Sequence, residues 1–131
     1  MSLKKIHWID RWMILSPYCI GLCLSEDLFN KELKRLKLPV KDWPEFVPKG
    51  KDARVHLFQN GRYLCCILCM KENKKATKSE IIGLIVHESV HIWQEIKLIN
   101  NEHNPSQEFE AEAVQNITQR LIEAYYGKSA L

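Results

Sequence analysis

The sequence predicts an α+β domain in which a small antiparallel sheet, built around one hairpin, packs on a central helix and a long C-terminal helix. Three observations carry this. Glu80 to Ile99 and Pro105 to Tyr126 hold apolar side chains over more turns than a strand lasts, with no internal proline after Pro105. Arg54 to Phe58 and Arg62 to Met70 are strand-like runs flanking Asn60-Gly61, a dipeptide that favours a type I′ hairpin turn. The chain has 131 residues, enough for one domain over 1–131 with one modest core.

The elements follow in order. Tyr18 to Leu24 is an apolar run bounded by Pro17 and Ser25 and reads as a buried strand. Ser25 then caps a helix: Glu26 and Asp27 occupy the first turn, where the dipole favours carboxylates, and Leu28, Phe29, Leu33 and Leu36 form one stripe. Pro39 follows its end. From there to Asp52, three prolines and a glycine predict an irregular loop, with Trp43 and Phe46 as its anchors or as aromatics that meet a substrate. After the hairpin, a polar connection offers Thr77 or Ser79 as cap of the central helix. The last helix is predicted to start with Asn104 as cap, Pro105 at its first position and Gln107 behind, to bury Val114, Ile117, Leu121 and Tyr125, and to end at Gly127.

Composition narrows the function classes. A net charge of +3 and a pI near 8.6, with both signs interspersed, give little support to a nucleic-acid surface. The first 25 residues mix basic and apolar groups as a signal peptide does, but Asp10 and Arg11 interrupt the apolar part, and no run approaches the ~20 residues of a membrane span. A soluble cytoplasmic protein is therefore expected. Its five cysteines are odd in number and fit reduced thiols rather than a disulfide framework. Cys66 and Cys69, with Cys19 and Cys23, could supply four thiolates, yet in a strand 66 and 69 point to opposite faces, so small buried hydrophobes is the better reading.

The chemistry concentrates in His87-Glu88-Ser89-Val90-His91. On a helix the two imidazoles lie one turn apart and can ligate one ion. Glu88, turned by about 100°, reaches a water on that ion instead. With 5 histidines in 131 residues, a shuffled chain would contain HExxH only roughly 0.02 times, so chance is a small risk. The competing reading is a pair of core histidines, since Ile85, Val86, Val90 and Ile92 surround them. Burying two imidazoles without partners would leave nitrogens unsatisfied at about 1–3 kcal/mol each, which a shared ion removes. A catalytic zinc takes three protein ligands and one open position. Glu108, Glu110 and Glu112 at the start of the last helix would by themselves be dipole partners, but beside HExxH one of them can be the third ligand.

These residues resemble the zincin-type metallopeptidases whose third ligand is a glutamate, the gluzincin-like group. There a downstream helix carries E-x-x-A-D or E-x-x-x-D, and Glu108 to Glu112 match with Glu in place of Asp. The resemblance implies a minimal zincin-like domain holding Zn²⁺ on His87, His91 and Glu108, with Glu88 as general base and Glu112 behind a ligating histidine. "LIVHESVHIWQ" followed by "EFEAEAVQNI" is also similar to small zincin-like proteins of bacterial prophages, chiefly over the C-terminal half. Gln94 and Lys97 depart from the metzincin pattern, where a glycine and a third histidine would stand.

The implied activity is zinc-dependent hydrolysis of a peptide or protein substrate. The hairpin edge would hold an extended peptide, and His103, Tyr125 or Tyr126 would stabilise the oxyanion, with nothing in the spacing to choose among them. The rival expectation is a non-catalytic binding or regulatory module with a structural or vestigial zinc, because 131 residues leave little room for a cleft.

Overall fold

The computed structural model describes residues 4–9, 18–60 and 63–127; Asp10, Arg11, Pro17 and Gly61 of the expected hairpin turn lie outside them. The order is β1 (His7–Trp8), β2 (Tyr18–Cys23), α1 (Glu26–Arg35), a 3₁₀ turn at Val40–Asp42, β3 (Ala53–Asn60), β4 (Tyr63–Met70), α2 (Lys78–Ile99) and α3 (Gln107–Tyr126).

The strands form one sheet in the order β1-β2-β4-β3. Its hairpin is antiparallel, as the sequence predicts, but the register sets Ala53 opposite Met70 and Asn60 opposite Tyr63, so Asn60 ends β3 instead of opening the turn. The sheet as a whole is mixed, which corrects the antiparallel expectation: β2 and β4 run parallel, with Tyr18 opposite Leu64 and Cys23 opposite Cys69. A parallel pair needs a crossover of a dozen or more residues, and the segment holding α1, the proline-rich loop and β3 supplies it. This leaves β3 as an edge strand beside the helical layer.

Three layers result. On one face of the sheet Phe29 and Leu33 of α1 pack with Val47, Ile67 and Cys69. On the other, Ile20, Leu22, Cys66 and Leu68 meet Ile85, Ile92 and Ile96 of α2 and Ile117 and Leu121 of α3. Cys65 to Met70 are all buried, as befits a central strand covered on both sides. Trp43 and Phe46 serve as anchors: the Trp43 indole donates to the Leu38 carbonyl at 2.9 Å, and both rings pack on the α1-side core.

Local capping sets where the two long helices begin. Thr77 closes a capping box at α2: its hydroxyl accepts from the Glu80 amide at 3.1 Å, and the Glu80 carboxylate accepts from the Thr77 amide at 3.1 Å. At α3 the cap is Ser106, two residues later than expected, because its hydroxyl accepts from the Phe109 amide at 3.2 Å. Pro105 thus precedes the helix. Gly127 ends it with φ 82°, a conformation open to glycine. Among the described residues no helix is long and apolar enough to cross a membrane.

Candidate metal centre

α2 turns its apolar stripe, Ile85, Ile92, Trp93 and Ile96, toward the sheet and α3. His87 and His91 lie outside that stripe, both exposed. They are therefore not core histidines, and the sequence argument from burying them does not apply. What the structure shows is convergence: the two Nε2 atoms are 3.2 Å apart, with the rings inclined at 77°. Two nitrogens 2.0–2.1 Å from one tetrahedral ion stand about 3.3 Å apart, so the pair fits two corners of a zinc site.

Two cavities meet beside this pair. One, of about 400 Å³, runs between α2 and β3 and is lined by Arg54, Val55, Leu57, His91 and Glu95 among others. The second, of about 580 Å³, reaches Asp52, Glu80, Leu84 and Tyr125. Lys51, Ala53, His87 and Glu88 line both, so they form one groove along the histidine flank. Glu88 is 8% exposed and lies where this groove is continuous. For a chain with little expected room for a cleft, this groove is the space the structure offers beside the histidines.

Each remaining sequence-nominated residue has a definite place. Glu108 and Glu112 are exposed on α3 and line neither cavity, and among the described residues no three His, Cys, Asp or Glu side chains converge to hold a metal. The acid of α3 that faces α2 is Glu110. Its Oε2 accepts from Trp93 Nε1 at 2.8 Å and Lys97 Nζ at 2.9 Å, and these bonds, the lysine's first, hold its carboxyl below the usual range. Phe109 adds an edge contact to Trp93 with ring centres 5.7 Å apart. The start of α3 is therefore a clamp on α2.

The structure sets Gln94, rather than Glu112, against a histidine: Gln94 Oε1 lies 3.0 Å from His91 Nδ1. Of the three oxyanion candidates, Tyr125 alone lines the groove, and burial pushes its phenol up, which keeps the proton it would donate. Tyr126 instead meets Lys78, with the lysine Nζ 5.1 Å from its ring centre, and His103 is exposed outside both cavities.

The cysteines are free thiols: Cys66 belongs to one core and Cys69 to the other, and burial pushes both thiols up, away from the thiolate a metal needs. Sequence reasoning missed Gln94, although its spacing of three residues from His91 was a usable signal. Lys51, Arg54 and Glu95 gave no such signal, because only the approach of β3 to α2 makes them neighbours. Comparison with protein-family models, curated proteins and solved structures finds no match.

Proposed function

We propose that this protein is a zinc-dependent metallopeptidase with a minimal zincin-like site on α2. The observation that carries the reading is the convergence of His87 Nε2 and His91 Nε2 at 3.2 Å on a groove that Glu88 also lines. His87 and His91 would hold the ion, which supplies a polarised scissile carbonyl and a water of lowered pKa. Glu88 would be the general base, able to take a proton from an attacking water and pass it to the leaving amine. Tyr125 lines the same groove and would be the donor to the carbonyl oxygen as charge builds there. β3 is an edge strand bordering the groove, so an extended peptide can add to it, with Val55 and Leu57 offering apolar contact.

The test is Glu88→Gln. The amide accepts no proton but leaves both histidines in place, so bound zinc should stay near one per chain while turnover of a peptide library falls by roughly 10²–10⁴-fold. Equal turnover in the two proteins would remove Glu88 from the mechanism. A second reading, a binding or regulatory module of the same fold, is favoured by the lack of a third convergent ligand among the described residues. That reading expects zinc without hydrolysis in the wild type as well.

A further inference from the structure

The histidine pair carries an asymmetry that its spacing alone does not explain. His91 has a polar atom on each side: Gln94 Oε1 lies 3.0 Å from its Nδ1, and His87 Nε2 lies 3.2 Å from its Nε2. An amide oxygen has lone pairs and no proton, so the atom facing it must be a donor, which puts the proton of a neutral His91 on Nδ1. Its Nε2 then keeps a bare lone pair, aimed at the space it shares with His87.

From this geometry we infer that Gln94 is a positioning residue: by accepting from His91 Nδ1–H it fixes both the tautomer and the ring angle that present Nε2 to a metal. The inference rests on the zinc reading and names a residue that reading leaves without a role. A ligating imidazole needs an acceptor behind its outer nitrogen to hold its orientation and raise its basicity, and losing such a partner lowers metal affinity by about 10–100-fold. Here His91 and Gln94 are both exposed, so water competes for the same bond and the low end of that range applies. The contact is also local. Residues three apart on a helix are neighbours, so α2 supplies this partner to its own ligand without help from α3.

The experiment compares wild type with Gln94→Leu and Gln94→Glu. The first removes the acceptor and the second keeps an oxygen in its place, and neither touches the core. Long-range nitrogen–proton correlation on the metal-free protein should show His91 as the Nδ1–H tautomer in wild type and Gln94→Glu, and a mixture in Gln94→Leu. Zinc affinity, by competition with a chromophoric chelator, should fall about 10-fold in Gln94→Leu and return to the wild-type value or above in Gln94→Glu. An Nε2–H tautomer at His91 in wild type would mean that the amide nitrogen faces the ring, and would overturn the proposal. So would unchanged affinity in Gln94→Leu. Failure of the wild type to bind zinc at all is a separate result: it overturns the metal reading and the positioning role with it, whatever the tautomer.

Discussion

Replacing either histidine by alanine separates metal binding from folding, because the side chains removed are exposed. His91→Ala deletes a surface imidazole from a helix interior where alanine is a good former, so metal-free stability should stay within about 0.5 kcal/mol of wild type. At about 2.1 cal/mol/K per residue, the unfolding entropy of 131 residues is about 0.28 kcal/mol/K, and 1 kcal/mol moves Tm by about 3.6 °C. Metal-free His91→Ala should therefore melt within about 2 °C of wild type. Zinc at 100 times its Kd stabilises the native state by about 2.7 kcal/mol, or about 10 °C, if the unfolded chain does not bind it. That rise should be present in wild type and lost in His87→Ala and His91→Ala, read by calorimetry at several zinc concentrations. The five cysteines give the unfolded chain some affinity of its own, which shrinks the shift in all three proteins but not the difference between them. An equal rise in all three would place the zinc elsewhere and refute the reasoning.

Three further outcomes follow from the packing. Leu121→Ala removes a fully buried side chain between α3 and the sheet and should destabilise by about 2–5 kcal/mol in a urea titration; a loss under about 1 kcal/mol would contradict the core described here. Glu110 is held below the ordinary glutamate value of about 4.3 by Lys97 and Trp93, so the stability it contributes is present above that pH and lost as the pH falls through its lowered folded value. Wild type and Glu110→Gln should accordingly differ most near neutral pH and converge in acid, and a urea midpoint difference constant from pH 7 to 3 would exclude the ionic clamp. Glu108→Gln and Glu112→Gln should leave zinc affinity within about 2-fold of wild type, whereas a 10–100-fold loss would restore them to the site.

What the sequence made legible was whatever is decided locally. The hairpin strands, the Ser25 cap, the α1 stripe and the span of α2 each follow from neighbours a few residues apart, and each is found where the pattern puts it. Two misreadings were of a different kind. Sheet direction at β2 and β4 depends on how a 39-residue connection folds back, and no residue in either strand records it. The α3 cap went to Ser106 rather than Asn104 because two capping residues flank Pro105, and the competition is settled by which hydroxyl or amide reaches a free backbone N–H. At the site, the spacing of His87 and His91 was enough to bring their nitrogens together, but the flank of α2 that α3 covers was not written in either helix alone.

That flank decides the question of the third ligand. Counting 100° per residue, His87 and His91 are turned by about 120° and 160° from Trp93, the residue through which α2 meets the start of α3. On α3, Glu110 lies within about 20° of the buried Ile117, while Glu108 and Glu112 are turned from it by about 180° and 140°. Both registers therefore hold the outer acids away from the histidines. Rolling α3 to bring Glu108 inward would expose Ile117 and Leu121, each fully buried, at about 1.5–3 kcal/mol apiece, a large part of the 5–15 kcal/mol that holds a domain together. It would also break the Glu110 clamp. The carboxylates that share the groove with the histidines are Asp52, Glu80, Glu88 and Glu95. Glu80 already caps α2 and Glu88 is the proposed base, so of these four the acids without another part in the proposed zinc reading are Asp52, on the segment entering β3, and Glu95, one turn beyond His91.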